Sequence, residues 1–153
     1  MQRVIAGYRK DDEGHWTALL SCGHPQHVRH HPPLKSRPWV LTEAGRREHL
    51  GTRLHCVRCE RFELPPHFVA YKRTPIFTQE TLPEGLRHDH LTRPGVWARI
   101  LVIEGRLRYQ VPAVAVDDVL TPDHSGVVLP EVFHSVDPLG AVQFFLDFFA
   151  EPK

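Results

Sequence analysis

Arg87-His88-Asp89-His90-Leu91-Thr92-Arg93-Pro94-Gly95-Val96-Trp97 is followed, well downstream, by Pro130-Glu131-Val132-Phe133-His134. On a strand, His88 and His90 would share a face, because side chains alternate with a period of two. A third imidazole, His134, returning from a distant strand could meet them and hold a metal ion. The surrounding text reads as short strands and turns. Arg99-Ile100-Leu101-Val102-Ile103 is apolar and β-branched, and Glu104-Gly105 reads as a tight turn. Arg106 to Val111 then alternates with period two. Gly126 to Leu129 is a further strand. Val142 to Phe149 closes the set with aromatics on both faces, as in a strand buried between two sheets.

Toward the N-terminus, residues 3 to 9 and 15 to 21 predict a hairpin around an Asp11-Asp12-Glu13-Gly14 turn. A knuckle-like turn, Cys22-Gly23-His24-Pro25-Gln26-His27-Val28-Arg29-His30, follows. Thr42 to Gly51 is the clearest helix. Thr42 can cap it, Glu43 suits its positive end, and Gly51 can stop it.

Of the 153 residues, 41% are hydrophobic and 24% charged, ordinary values for a globular protein. Fourteen prolines favour loops and turns over long helices. Apolar runs such as Phe144-Phe145-Leu146 fall far short of the roughly 20 residues of a membrane span. The first residues lack the apolar core of a signal peptide, so a cytoplasmic location and no membrane partner are expected. The net charge of +1 hides an asymmetry. Residues 1–66 carry eleven Lys/Arg against seven Asp/Glu, and residues 67–153 carry eight against eleven. Two modules are predicted, 1–66 and 67–153, with their seam at Leu64-Pro65-Pro66.

The three cysteines point to metal. Their odd number and the Cys56-x-x-Cys59 pair disfavour a disulfide framework in a reducing compartment. Structural zinc takes four ligands in a tetrahedron, and short spacings in tight turns aim two side chains at one point. Cys56 and Cys59 form one such pair. Cys22 and His24 form the other, with Gly23 permitting the turn. His27 is an alternative to His24, which turn geometry favours. Three buried cysteines acting as small apolar residues is the plainer reading, but all three fall in metal-like frames. A redox Cys-x-x-Cys is disfavoured because no βαβ pattern surrounds it.

Residues 1–62 resemble a small family of uncharacterised bacterial zinc-knuckle domains. The resemblance is carried by Leu20-Ser21-Cys22-Gly23-His24-Pro25-Gln26-His27-Val28-Arg29-His30, Pro32-Pro33, Arg37-Pro38-Trp39-Val40, Arg46 and Cys56-Val57-Arg58-Cys59. It implies no activity. Residues 71–150 resemble the cupin domain found at the N-terminus of TehB-type tellurite-resistance proteins and in small stand-alone relatives. The matching text includes Tyr71-Lys72-Arg73-Thr74-Pro75, Leu82-Pro83-Glu84-Gly85-Leu86, His90-x-Thr92-Arg93-x-Gly95-x-Trp97, Val102-x-Glu104-Gly105-x-Leu107-x-Tyr109, Pro130-Glu131-Val132-x-His134 and Phe144-x-x-Asp147-Phe148. Together these imply a mainly β chain: a small knuckle-like α+β module, then a cupin (double-stranded β-helix) barrel with a pocket between its sheets.

The chain departs from the general cupin metal motif. Gly85 lies three positions before His88, Ala98 stands where the acidic ligand belongs, and Pro130 precedes His134 by four residues. His90 and His134, with His88 as an optional third, remain ligand candidates for a second divalent metal such as Zn, Ni, Fe(II), Mn or Cu. The alternative is that these imidazoles are hydrogen-bonded pocket residues that bind nothing. Trp97, Arg99, Glu131 and Asp147 are the further pocket candidates. Arg99 could hold an oxyanion with its fork of donors, or simply sit on an exposed sheet face.

Three functions compete. The leading one is a binding module for a small molecule or oxyanion, related to stress response and pairing as a homodimer. Methyl transfer is not expected, since no Gly-rich strand-loop-helix for S-adenosylmethionine is present. The second is a small cupin metalloenzyme with Glu131 or Asp147 as acid/base. The third is a zinc-dependent nucleic-acid or regulatory module. The basic surplus permits it, though such charges more often solvate a small domain.

Overall fold

The computed structural model describes all 153 residues, and the chain divides into two compact units, Met1–Arg61 and Phe62–Lys153. Both are built mainly of β-strands. No helix is long and apolar enough to cross a membrane.

In the first unit, β1 (Gln2–Lys10), β2 (Trp16–Leu20), β3 (Pro25–His27) and β4 (Arg53–His55) form an antiparallel sheet in the order β3-β2-β1-β4. Asp11 makes the expected first turn: its carboxylate accepts the Glu13 and His15 backbone N–H groups at 2.9 and 2.8 Å. Such self-bonding is why aspartate favours turns. The predicted helix is α1 (Glu43–Glu48), and the Thr42 hydroxyl caps it by accepting the Gly45 N–H at 3.0 Å. A second short helix, α2 (Val57–Glu60), follows β4. Ile5, Ala18, Leu20, Val28 and Val40 make a small buried core.

The second unit is one antiparallel sheet of six strands that curls on itself. They are β5 (Val69–Arg73), β6 (Phe77–Thr78), β7 (Trp97–Val111), β8 (Val116–Leu120), β9 (Gly126–Val128) and β10 (Ser135–Ala150). The two long strands pair along most of their length. β7 takes β9 beside its first half and β8 beside its second, while β10 takes β5 and β6 on its far edge. Trp97, Ile100, Leu107, Leu120, Val128, Leu129 and Phe144 fill the interior.

The tight turn expected at Glu104-Gly105 is absent. β7 runs straight through it, and the chain reverses only at Pro112–Val114, where Ala115 takes φ +54°. The pairing with β10 slips at this point: Gln143 faces Glu104, and Phe144 faces Val102, leaving Ile103 without a partner. An extra residue of this kind bends a strand and shifts its alternation by one. Accordingly, Ala98, Ile100 and Val102 are buried before the slip, and Leu107, Tyr109 and Val111 after it. Gly105, at φ +85°, lies in the bend. Glycine there signals a kink within one strand, although a glycine joining two strands is spelled identically.

Candidate functional site

Strand β1 assembles the candidate metal centre. It pairs on one side with β2, which leads into Cys22, and on the other with β4, which leads into Cys56. The Ser21 N–H donates to the Val4 carbonyl at 2.9 Å, and the Cys56 N–H to the Met1 carbonyl at 2.7 Å. Gly23, at φ +94°, closes a turn in which its N–H donates to Leu20 and the Leu20 N–H to His24. Cys56 is the N-cap of α2, whose single turn brings Cys59 back beside it.

Cys22, His24, Cys56 and Cys59 are all buried, and their ligand atoms lie within 4.8 Å of one another. His24 presents Nδ1 at 3.4 Å from Cys22 Sγ, 3.4 Å from Cys56 Sγ and 3.7 Å from Cys59 Sγ; the Cys22 and Cys56 sulfurs are 3.9 Å apart. With Zn–S near 2.3 Å and Zn–N near 2.0–2.1 Å, a regular tetrahedron has edges of about 3.8 Å (S to S) and 3.6 Å (S to N). The measured edges match. The four residues could hold a metal ion, and a closed N₁S₃ set is consistent with structural zinc. All three cysteines are free thiols, with no disulfide.

Crowding these groups perturbs them. The hydrogen bond between Cys22 and Cys56 pushes the Cys56 thiol down and the Cys22 thiol up. Burial works against a charged His24, but hydrogen bonds to Cys56 and Cys59 hold its imidazole up at about 9. His27, the alternative ligand, is exposed and stands 3.5 Å from Asp11 instead.

The second expected site is assembled only in part. His90 and His134 exchange both backbone hydrogen bonds at 2.9 Å across an isolated antiparallel bridge, with ring centroids 5.3 Å apart. His88 does not join them. It is exposed and binds Glu84 at 3.0 Å, because the segment forms a bridge residue by residue with no continuous strand to impose alternation. No third His, Cys, Asp or Glu stands with the pair at ligand distance, so the three-imidazole metal set is not present.

The other pocket candidates also face elsewhere. Trp97 is fully buried in the core. Arg73, Asp147 and Arg99 form one cross-strand row over β5, β10 and β7. In it Asp147 is clamped by Arg73 at 2.7 and 2.9 Å, which lowers its pKa, and Arg99 lies over the Phe149 ring. Glu131 is exposed at φ +58°. Neither carboxylate joins the two imidazoles in a cluster at ligand distance.

The space beside His90 is instead lined by residues the sequence reading left out. One cavity of about 390 Å³ is bounded by Tyr71, Lys72, His90, Thr92, Arg93 and Phe148. A second, of about 250 Å³, shares His90 and Phe148 and continues toward Phe77 and Leu146. The buried Nδ1 of His90 has no hydrogen-bond partner. Lys72 was legible only as part of a family motif, since a lysine next to a tyrosine on a short strand carries no signal of its own.

Burial lowers the pKa of His134 to about 4. The unfolded chain protonates this imidazole near 6.5 and the folded one only near 4, so between those values the unfolded state holds more protons. Stability of the second unit should be flat with respect to this group above pH 6.5 and fall by about 3 kcal/mol on acidification to pH 4. Urea titrations at the two pH values check this against His134→Phe. Equal losses in both proteins would exclude His134 as the source.

Residues 6–63 match the family described as a protein of unknown function, DUF3565, and residues 72–146 match the TehB-like domain. The probable S-adenosyl-L-methionine-dependent methyltransferase TehB of Haemophilus influenzae is 29% identical over 76 residues, which are 46% of this chain and 27% of TehB. This chain therefore covers about a quarter of that relative. The uncharacterized protein YeaR of Escherichia coli K12 is 28% identical over 101 residues, 60% of this chain and 85% of YeaR. The crystal structure of H. influenzae TehB superposes with a TM-score of 0.52 at 25% identity, covering 56% of this chain and 32% of TehB. That of an E. coli K12 protein gives 0.54 at 27% identity, covering 58% and 96%.

Proposed function

We propose that this chain is a binding protein in which a structural zinc knuckle, residues 1–61, accompanies a cupin-type barrel that captures a small molecule or oxyanion. The observation that carries this reading is the pair of adjoining cavities around His90 and Phe148, with a buried imidazole nitrogen that has no partner. Concave, largely apolar sites with a few converging polar groups are where small ligands bind. Lys72 and Arg93 beside the larger cavity favour an anion. Two imidazoles without a third donor favour direct ligand binding over a resident second metal.

The likeness to TehB brings tellurite-related stress response as the process. TehB's methyl transfer is not carried over with it, because the match spans only about a quarter of that protein. β5 lies at the sheet margin with every residue exposed, the kind of edge through which cupins pair, and a cytoplasmic homodimer is part of the same proposal.

The test combines metal content with ¹⁵N-resolved titrations of tellurite and of benzoate. One zinc per chain should be found, lost in Cys56→Ser and kept in His90→Ala. Ligand-induced shifts should cluster at His90, Thr92 and Phe148 and disappear in His90→Ala. A second metal lost only in His90→Ala, or no shift with either anion at millimolar concentration, would overturn the reading.

A further inference from the structure

Charge is distributed unevenly around the two cavities at His90. Lys72 on β5 is paired directly with Phe148 on β10, and Phe148 with Ala98 on β7. Directly paired residues share a face, and Ala98 is fully buried, so Lys72 ends a row on the inner face of the sheet. The neighbouring row of Arg73, Asp147 and Arg99 takes the opposite face.

Lys72 and Arg93 both border the larger cavity, of about 390 Å³, and no carboxylate lines it. Neither cation is paired with an acidic side chain of the chain. Thr92 adds no donor there, since its hydroxyl already donates to the Val96 carbonyl at 2.7 Å.

The adjoining cavity, of about 250 Å³, has no charged residue in its lining. Phe77, Leu86, Leu146 and Phe148 make its walls. The one hydroxyl beside them, on Thr74, is engaged twice: it accepts the Leu146 N–H at 3.0 Å and donates to the Pro75 carbonyl at 2.9 Å. His90 and Phe148 belong to both cavities, so the apolar lobe continues directly from the cationic one.

An inorganic oxyanion would use the cationic lobe alone and leave the apolar walls facing water. A neutral hydrocarbon would use the apolar lobe and leave both cations without a counter-charge. A molecule with one anionic end and an apolar body matches the two lobes together. Two cationic side chains suit the two oxygens of a carboxylate.

We propose that this site takes an organic monocarboxylate with an apolar tail. Lys72 and Arg93 hold the carboxylate, and the tail lies among Phe77, Leu146 and Phe148. The proposal rests on the reading of the second unit as a small-ligand binding module and names the class of ligand.

The zinc-loaded protein would be titrated with acetate, butyrate, hexanoate, hexanamide and tellurite, following ¹⁵N amide shifts at Lys72, Thr92 and Phe148. Affinity should rise about fourfold per methylene from acetate to hexanoate, the gain for a buried CH₂. Hexanamide, of equal length but uncharged, should bind about tenfold more weakly than hexanoate. Lys72→Gln combined with Arg93→Gln should lower hexanoate to the affinity of hexanamide and leave hexanamide unchanged. Both side chains are exposed, so the double variant keeps the fold. Equal affinity for acetate and hexanoate, or for hexanoate and hexanamide, would overturn the inference. Shifts with tellurite but not hexanoate would overturn it too, while leaving the binding module standing. Absence of shifts with every probe would overturn both.

Discussion

Cys56→Ser is expected to lose the single metal equivalent and to unfold residues 1–61 while residues 62–153 keep their structure. A unit this small has a limited core, here Ile5, Ala18, Leu20, Val28 and Val40 with the cysteines themselves. Cores of that size seldom supply more than about 3–5 kcal/mol, whereas a structural zinc contributes an apparent 10–16 kcal/mol at neutral pH. Serine is a good N-cap, so α2, which begins after Cys56, retains its local start. What disappears is one of three sulfurs in a closed four-donor set, and the hydroxyl that replaces it is a poor zinc ligand. Elemental analysis gives the metal content, and amide dispersion shows which unit has collapsed. A chelator should reproduce the effect on the unmutated protein, and so should acid, which protonates the thiolates and releases the ion. Full zinc occupancy or native dispersion of residues 1–61 in the variant would rule out the knuckle as the staple of this unit.

The second large effect is expected at the bend of β7. A Cβ on Gly105 would stand 2.1 Å from the Ala141 carbonyl oxygen and about 3 Å from two further backbone atoms, at φ +85°. Backbone cannot move aside as a flexible side chain can, because β10 is hydrogen-bonded along both flanks of this point. Gly105→Ala should therefore destabilise the second unit by about 4 kcal/mol or more, the range reserved for forced clashes and strain. Gly140→Ala is the control. Its φ is +94°, but nothing lies within 4 Å of the added methyl, so only the left-handed penalty of about 1–2 kcal/mol should remain. Urea unfolding of the two variants gives both numbers. Similar losses would mean that the clash at Ala141 is relieved by local adjustment.

Much of this protein was legible in the sequence where the signal was local. The Asp11 turn, the Thr42 cap and the two strands of the first hairpin rest on residues that satisfy their own neighbours' backbone groups. The Cys/His cluster that could hold a metal was legible for the same reason, since Cys22-x-His24 and Cys56-x-x-Cys59 each sit within one turn. Alternation held from Arg106 to Val111, where Leu107, Tyr109 and Val111 are buried, but it failed where pairing is broken. His88 and His90 were placed on one face by a period of two, yet that segment makes only isolated bridges at His90 and Thr92. Arg99 and Asp147 were pocket candidates, with an exposed sheet face as the other reading of Arg99, and the register between β7 and β10 sets both in a row with Arg73.

The sequence by itself determined that the first unit would gather three thiols and an imidazole, because ligand spacing inside a tight turn leaves side chains few directions to take. It also determined a mainly β second unit, through its β-branched and aromatic runs. Tertiary structure decided that His24 and not His27 completes the tetrahedron, since β3 carries His27 out beside Asp11. It decided too that β7 continues through Gly105 and that the cavity opens on His90, Thr92 and Phe148. These outcomes depend on which residue of a distant strand lies opposite, and a one-residue slip in that pairing turns a side chain to the other face.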